Sequence, residues 1–385
     1  MNNILEMIKN EKVEWKKLET LINYEQPTKY IVKSTQYDDK FDTPVLTAGQ
    51  TFILGFTDEL KNIYQADENN PVIIFDDFTA GNHWVDFNFK VKSSAMKILK
   101  PKEGVNFRYC YHYLKTIHVD ISEHKRLWIS KFSKIEIPIP SMETQERIVK
   151  ILDTMVDHFT QLEAELEARN KQYEYYRDKL LSEEYLNKLT NKFGGEINFF
   201  DIKSLCKRNR GMKITAKQMN DLDNPDGEVK IFAAGNTIAN VSIEDVGEDN
   251  IISEPSVIVK SRGNIDFDYY NKRFSHKNEM WSYTTLDKNV LNVKYLYYYL
   301  KNNLEYFKDK AVSGKLPQIS TGITDNYKLP VPNIEVQNTI VDFLDRFQAI
   351  IQDVDGLLPK EIELRHKQYE YYRERLLDFK RDDNE

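Results

Sequence analysis

An internal repeat constrains this chain most, because it drives two halves of the sequence toward the same fold. A seven-residue segment, KQYEYYR, occurs twice without change, and it lies inside a longer region of weaker similarity. The matching segments are KQYEYYR at 171–177 and 367–373, IPIP at 137–140 with LPVP at 329–332, and AGQT at 48–51 with AGNT at 234–237. The period is near 190 residues, which is too long for a solenoid repeat. It predicts a duplicated half with a pseudo-twofold axis.

Both segments that contain the heptapeptide have the apolar spacing of long helices. In the first copy, apolar residues recur from Ile148 to Leu166 in alternating steps of four and three, the period of a coiled coil. Ser141 and Asn333 follow the proline-rich segments and are predicted N-caps. The second copy gains four residues near Gly356 and Pro359, which predicts a break there with Pro359 in the first turn of the last helix.

The segments between the helices are typical of mixed α/β domains with an excess of strand. Short apolar runs at 71–75 and 256–259 are bounded by turn-forming residues, as buried strands are. The predicted fold class is α+β, with two pseudo-repeated mixed α/β domains separated by two long coiled-coil helical regions. The predicted boundaries are 1–140 for the first domain, 141–192 for the central helical region, 193–328 for the second domain and 329–385 for the C-terminal helical region.

Composition excludes several classes of protein. No apolar run approaches 18 residues, the N-terminus lacks a signal-peptide core, and Cys110 and Cys206 are far apart, so we expect a cytoplasmic chain without disulfides or a zinc site. The net charge of −7 resides in the helical segments, whereas the two long domains are almost neutral. The overall charge therefore does not exclude a nucleic-acid-binding surface on the domains.

Catalytic motifs are absent from the sequence. There is no phosphate-binding P-loop, no strand followed by G-x-G-x-x-G, and no H-E-x-x-H. Asp76 and Asp77 form a paired carboxylate that a nuclease could use for a metal. Neighbouring residues of a strand point to opposite faces, however, so a structural or base-reading role is favoured over a metal site.

Clusters of Lys, Arg, Asn and Gln near glycines instead indicate recognition of nucleic acid. Six basic residues lie between Lys203 and Lys217 without any acidic residue, around Gly211, which suits contacts to phosphate groups. A solvated charged surface explains this run equally well. Similar clusters occur in both halves, and their side chains are those that read base edges.

The chain resembles the specificity subunits of type I restriction-modification enzymes over essentially its whole length. The most specific segments are LPKEIE at 358–363 with the heptapeptide that follows, QERIVKILD at 145–153, VLTAGQT at 45–51 and VIIFDDF at 72–78. The second domain departs from this pattern, with KIFAAGN at 230–236 in place of PVLTAGQ at 44–50. Such a difference is expected if the two domains read different sequences.

The resemblance implies a non-catalytic subunit in which the two helical regions pack antiparallel and each α/β domain is a target-recognition domain that reads one half of a split, asymmetric DNA site. The helices are expected to set the spacing of the half-sites and to dock two modification (methyltransferase) subunits, joined by two restriction subunits. S-adenosylmethionine, ATP and magnesium are expected in those partner subunits and no cofactor or metal in this chain. A coiled-coil scaffold or adhesin is the alternative, and a nuclease that uses Asp76 and Asp77 ranks third.

The candidate functional residues fall into a DNA-contacting set and a partner-helix set. Those predicted to contact DNA are Gln50, Thr51, Asn82, His83, Trp84, Lys125, Arg126, Lys131, Lys207, Arg208, Arg210, Lys213, Asn236, Lys260, Arg262, Lys272, Arg273, Lys315 and Gln318. Those predicted to make partner-helix contacts are Tyr173, Tyr176, Arg177, Tyr369, Tyr372 and Arg373.

Overall fold

The chain folds into two compact units. The computed structural model describes residues 8, 11–48, 51–118, 126–234, 237–312, 316–352 and 357–381. Unit 1 consists of Met1–Glu163 and Lys360–Glu385, and unit 2 consists of Ala164–Pro359. Each unit thus contains one of the two α/β domains together with helical segments from both ends of the repeat. No helix in the described ranges is both long enough and apolar enough to span a membrane.

Unit 1 contains nine strands and three short α-helices before its first long helix, within the part of the chain that the structure describes. The strands are β1 (Glu14–Lys17), β2 (Ile22–Glu25), β3 (Thr43–Leu46), β4 (Ile53–Thr57), β5 (Val72–Asp76), β6 (Asn82–Val85), β7 (Lys90–Val91), β8 (Met96–Pro101) and β9 (Glu136–Ile139). The helices are α1 (Leu18–Leu21), α2 (Phe107–Leu114) and α3 (Leu127–Ser130).

Unit 2 repeats this series with a few additions. Two helices come first, α4 (Met142–Leu181), which begins in unit 1, and α5 (Glu183–Lys192). The strands are β10 (Asn198–Asp201), β11 (Cys206–Arg210), β12 (Val229–Phe232), β13 (Ile238–Val241), β14 (Ser256–Lys260), β15 (Asp266–Tyr270), β16 (Phe274–His276), β17 (Trp281–Thr285) and β18 (Lys328–Val331). The short helices are α6 (Ile202–Leu205), α7 (Ala216–Leu222), α8 (Ile243–Val246), α9 (Val293–Asn302), α10 (Leu304–Asp309) and α11 (Thr321–Asp325).

The two units share one sheet topology, which the sequence alone did not predict. The four-stranded sheets have the orders β2-β8-β5-β6 and β11-β17-β14-β15, and the three-stranded sheets have the orders β4-β3-β7 and β13-β12-β16. Even the register is kept: Ile22 pairs with Pro101, and the residues 184 positions later, Cys206 and Thr285, also pair. The duplication is therefore complete in the backbone although it is weak in the sequence of the domains.

The apolar runs predicted as strands form the centres of the sheets. Every residue of β5 is buried, and so are the first four of β14. Burial of one large apolar side chain stabilises the fold by about 1.5–3 kcal/mol, so these runs define the core positions of each domain. Exposed residues follow after the strands have ended, at Phe78 and Arg262.

The long helices begin where the caps were predicted. Ser141 Oγ accepts a hydrogen bond from the backbone N–H of Thr144 at the start of α4. Asn333 Oδ1 does the same for Val336 at the start of α12 (Ile334–Gln352). The last helix, α13 (Leu357–Leu376), has Pro359 in its first turn, as expected, and residues 353–356 lie outside the described range.

The helices pair antiparallel within each unit. In unit 1, Glu163 and Phe159 of α4 contact His366 and Tyr369 of α13, so the numbers rise in one helix as they fall in the other. In unit 2, Tyr173 of α4 packs against Phe347 of α12, which belongs to the same apolar seam. The predicted fold class, two pseudo-repeated α/β domains with long antiparallel helices, is confirmed.

Candidate nucleic-acid interface

Each α/β domain is fixed to the start of its long helix by the same hydrogen bonds. The hydroxyl of Tyr109 on α2 donates to the carbonyl oxygen of Pro138 over 2.9 Å, and Tyr295 on α9 donates to Pro330 over the same distance. At the start of the long helices, Gln145 Nε2 donates to the carbonyl oxygen of the proline five residues before it, and Gln337 does likewise. The prolines and glutamines of the repeat therefore orient the domains on their helices.

A carboxylate further along each long helix also binds the domain, and its partners differ between the two units. Asp153 of α4 accepts a hydrogen bond from Arg108 at 2.8 Å and lies 2.8 Å from Nε2 of His112. Burial raises the pKa of Asp153, but the His112 hydrogen bond and the Arg108 charge outweigh burial and hold its pKa below the ordinary value. Burial lowers the pKa of His112, so its neutral form is favoured.

In unit 2 the corresponding carboxylate is Asp345 of α12. It accepts hydrogen bonds from Lys294 Nζ at 2.7 Å and from the hydroxyl of Tyr298 at 2.5 Å. Burial and this second hydrogen bond raise the pKa of Tyr298. The helix carboxylate thus binds the domain in both units, although His112 of unit 1 is replaced by Tyr298 in unit 2.

The first tyrosine of each heptapeptide packs inside its own unit. Tyr369 is buried, and its hydroxyl lies 3.2 Å from Nδ1 of His112, while Tyr173 is buried against Phe347. The other predicted partner-helix residues are also used within the units: Tyr176 packs on Phe343, Arg177 donates to Asn302, Tyr372 lies on the unit 1 core, and Arg373 lies over the ring of Tyr369. The buried Tyr173 and Tyr369 thus each contact the facing helix of their own unit, and contact of these residues with a partner subunit stays a prediction.

The outer face of each heptapeptide is exposed. Tyr175 is 59% exposed and Tyr371 is 51% exposed, at corresponding positions of the two copies. Sequence reasoning missed both residues because it followed only the apolar seam. The seven-residue identity was the available signal, since it extends over the outward side chains that the seam does not need.

One edge of each domain, where β5 and β14 end, is closed by a corresponding backbone hydrogen bond. The carbonyl oxygen of Asp77 accepts the backbone N–H of Leu127 at 2.8 Å. The carbonyl oxygen of Ser261 accepts the backbone N–H of Ile319 at 2.9 Å. In unit 2, Gly263 N–H also donates to Pro317, so two chain segments run side by side. We call these two places the strand-exit edges.

Each strand-exit edge displays exposed side chains at corresponding positions. In unit 1 they are Phe78, which is 45% exposed, and Arg126. In unit 2 they are Arg262 and Gln318, which form a backbone bridge with each other. Three of these four residues were predicted from the sequence, and the structure brings Arg262 and Gln318 together. Phe78 was missed, although a phenylalanine in a turn directly after a buried strand is an available signal.

The remaining predicted residues of unit 1 differ widely in accessibility. Thr51 is exposed, Lys131 is half-buried, and Gln50 and Lys125 lie outside the described residues. The ring of His83 stacks on Phe52 at 3.9 Å, and burial lowers the pKa of His83 to about 4. Asn82 is buried, and Trp84 lies 4.6 Å from the Arg108 guanidinium against the core. The structure thus gives Asn82 and Trp84 packing positions, in contrast to the exposed tips that base reading requires.

In unit 2 most of the predicted basic residues are on the surface. The exposed ones are Lys207, Arg210, Lys213, Lys272 and Arg273, whereas Asn236 and Lys315 lie outside the described residues. Arg208 forms an ion pair with Asp325 of α11, and Lys260 forms one with Asp268 at 2.7 Å. These two pairs are part of the domain structure, which leaves the exposed residues as the candidates for phosphate contacts.

Asp76 and Asp77 are both occupied by contacts within unit 1. Asp76 accepts hydrogen bonds from the backbone of Phe78 and from the Thr79 hydroxyl, and it closes the turn after β5. Asp77 pairs with Lys97 over 3.0 Å in the interior. Over the described ranges, no group of three or more His, Cys, Asp or Glu side chains could hold a metal. The two carboxylates therefore make structural contacts within unit 1, and the preference for a structural or base-reading role over a metal site stays a prediction.

Comparison with known families gives a match in both halves. The family described as "Type I restriction modification DNA specificity domain" matches residues 10–171 and 195–364. The chain is 36% identical to the Escherichia coli "Type I restriction enzyme EcoR124I/EcoR124II specificity subunit", over 98% of this chain and 97% of that protein. It is 26% identical to a Haemophilus influenzae putative type I restriction enzyme specificity subunit over 97% of both.

Solved structures show a similar fold. The S subunit of a type I restriction-modification system from M. genitalium aligns over 97% of this chain and 98% of its own, with a TM-score of 0.61 and 15% identity. A chain from a structural study of complex assembly in the type I R-M system aligns over 96% of this chain and 98% of its own, with a TM-score of 0.53 and 12% identity. At these identities the likeness concerns the fold alone.

Proposed function

The chain belongs to the type I restriction-modification DNA specificity family, and we propose that it is the subunit through which such a complex reads a split, asymmetric DNA site. The relatives are named specificity subunits, and we propose that this chain is likewise a non-catalytic component of its complex. We propose that each α/β domain reads one half-site. The single observation that carries this proposal is the complete duplication of the domain fold with divergent exposed side chains at the same edge.

The surface chemistry supports contact with duplex DNA. Lys207, Arg210 and Lys213 are exposed in unit 2, and cations of this kind contact phosphates irrespective of sequence. Arg262 and Gln318 offer the paired donors and acceptors that distinguish bases in the major groove. A scaffold or adhesin has no need for such a set, and the family relationship argues against that alternative.

The helices supply the proposed spacing and docking. The helix α4 has 40 residues, about 60 Å at about 1.5 Å per residue, which is long compared with one turn of DNA. On its outward side, the heptapeptide exposes Lys171, Gln172, Glu174 and Tyr175, and the same four residue types are exposed again at 367, 368, 370 and 371. Exposed side chains have no packing reason to be identical, so we propose that two copies of one modification subunit bind these two faces.

Catalysis and its cofactors are proposed to reside in the partner subunits. The modification subunits would carry S-adenosylmethionine, and restriction subunits would carry ATP and magnesium. The purified chain is therefore expected neither to methylate nor to cleave DNA. Together with the modification subunit of its own system, it should direct adenine methylation to one split sequence, read by sequencing the methylated DNA. Methylation by the chain alone, or of a single uninterrupted site, would contradict the proposal.

The docking faces can be tested with Tyr175→Ala and Tyr371→Ala, alone and combined. Each single variant should retain one modification subunit and the double variant none, as measured by the mass of the purified complex. Tyr306→Ala, an exposed tyrosine of the second domain, is the matched control and should retain two. A double variant that still binds two modification subunits would place the docking surface elsewhere.

A further inference from the structure

The two strand-exit edges share one backbone arrangement and carry different side chains. In both units the residue that ends the buried strand is followed by a residue whose carbonyl oxygen accepts a backbone N–H from a position at or just before the start of a short helix. The accepting residues, Asp77 and Ser261, are 184 positions apart, the same offset that relates the paired strands of the sheets. The next residues, Phe78 and Arg262, are therefore structurally equivalent. Arg126 and Gln318 correspond because each directly precedes the residue that donates its N–H, Leu127 or Ile319.

The backbone of each edge is held from inside the domain. In unit 1 the buried Asp77 carboxylate accepts the backbone N–H of Trp128 at 2.9 Å and pairs with Lys97. In unit 2 the hydroxyl of the buried Ser261 donates to the carbonyl oxygen of Glu279. A backbone fixed in this way presents its outward side chains in a constant position, which precise recognition requires.

The outward side chains differ although the backbone is the same. Unit 1 presents a phenylalanine and an arginine, and unit 2 presents an arginine and a glutamine. Arginine pairs with guanine, glutamine pairs with adenine, and an apolar ring contacts the methyl group of thymine. We propose that Phe78 with Arg126, and Arg262 with Gln318, are specificity-determining pairs that read bases of the two half-sites, an inference that rests on the proposed function.

A merely solvated surface does not account for the composition of these edges. Ile129 is half-exposed beside the edge of unit 1, and in unit 2 Val312 is 74% exposed while its backbone pairs with Gln318. Apolar side chains around an arginine or glutamine suit the base edges of a groove, where methyl groups and polar atoms alternate. An exposed cation whose proposed role is phosphate contact, such as Lys207, needs no apolar neighbours.

Each half-site should contain two bases that are set by these side chains. One half-site should contain a guanine read by Arg262 and an adenine read by Gln318. The other half-site should contain a guanine read by Arg126 with a thymine whose methyl group contacts Phe78. The two bases of each pair should be close together in the sequence, because the side chains that read them are neighbours at one edge.

The experiment uses the complex of the full chain with its modification subunit and determines the methylated sequence for each variant. Arg262→Ala and Gln318→Ala should each relax the choice of one base in the same half-site, lowering discrimination about ten- to hundredfold, and should leave the other half-site unchanged. Phe78→Ala and Arg126→Ala should do so only in the other half-site. Lys288→Ala, an exposed residue paired with Glu254, is the control and should leave both half-sites unchanged.

A conservative variant separates base reading from phosphate contact and from misfolding. Arg262→Lys keeps the charge but lacks the paired donors, so it should lose discrimination of guanine while the salt dependence of binding stays as in the wild type. For variants that methylate slowly, base discrimination is measured by the competition of oligonucleotides substituted at each base for binding to the complex.

The outcomes distinguish this inference from the function on which it rests. A wild-type complex that methylates no split site would overturn the proposed function itself. If the wild-type complex methylates a split site and all four variants methylate the same sequence, only the assignment of the strand-exit edges is overturned. Loss of discrimination in both half-sites from one variant would also overturn it, because the edges belong to separate domains.

Discussion

Breaking the buried ion pair between Lys97 and Asp77 should strongly destabilise unit 1. Both side chains are 0% exposed, and Nζ lies 3.0 Å from Oδ2. Oδ1 of the same carboxylate accepts the backbone N–H of Trp128, so the pair also supports the strand-exit edge. Replacing Lys97 with methionine keeps an unbranched chain of similar length but leaves the carboxylate buried without its countercharge.

The expected loss follows from that uncompensated charge. Removing one partner of a buried ion pair costs about 3–5 kcal/mol, whereas replacing both by uncharged groups of similar volume is often nearly neutral. Lys97→Met should therefore lower the free energy of unfolding by about 3–5 kcal/mol. The double variant with Asp77→Asn should recover most of this, because an amide oxygen can still accept the Trp128 N–H. Lys288→Met, which breaks an exposed pair, should cost about 0–1 kcal/mol.

Urea unfolding followed by tryptophan fluorescence provides the measurement, since Trp128 lies next to the perturbed pair. With a urea dependence of about 1–3 kcal/mol per molar, the midpoint should fall by about 1–5 M. The transition of unit 1 has to be fitted separately, because a chain with two compact units need not unfold in one step. A loss below about 1 kcal/mol in Lys97→Met, or a double variant as unstable as the single one, would refute this reasoning.

Three further predictions concern pH, salt and spacing. Burial lowers the pKa of His276 to about 4, so below pH 6.5 the unfolded chain binds the proton more readily than the folded chain does. The free energy of unfolding should therefore fall by up to about 3 kcal/mol between pH 6.5 and 4. In pH-dependent denaturation, His276→Gln should remove this contribution to the pH dependence of the free energy of unfolding. Replacing Lys207 and Arg210 with alanine should lower the slope of log affinity against log salt by about 0.9 for each phosphate that is no longer neutralised, with equal effect on all sequences; an unchanged slope would make them solvated side chains only. Inserting four residues between Leu162 and Leu166 adds about 6 Å of helix, so the same half-sites should be methylated with a spacer one or two base pairs longer; an unchanged spacer would show that α4 does not set the distance.

The sequence alone determined the features that depend on neighbouring residues. The period of the apolar residues predicted the helices, and Ser141 and Asn333 cap them as expected. The buried run at β5 was predicted as a strand for the same reason, since its pattern is read within a few residues. The repeat also carried the family relationship, because segments such as KQYEYYR are contiguous in the chain.

The tertiary structure decided which side chains are available for function. Asn82 and Trp84 look like residues of a recognition loop, yet the sheet and α2 bury or cover them. Arg208 belongs to a basic run, but Asp325, which is 117 residues later in the chain, takes it as an ion-pair partner. Burial and pairing of this kind arise from contacts between distant segments, and local composition does not contain them.

The same distinction holds for the proposed recognition surface. Arg262 and Gln318 are 56 residues apart in sequence. They become neighbours because the N–H of Ile319 donates to Ser261 and the N–H of Gly263 donates to Pro317. Their equivalence to Phe78 and Arg126 is invisible in the sequence, since the side chains differ and only the backbone register is kept. A fold retains backbone hydrogen bonds that stabilise it, while exposed side chains are free to differ. The chain's local patterns therefore determined its helices and strands, and long-range packing alone decided which residues face the solvent together.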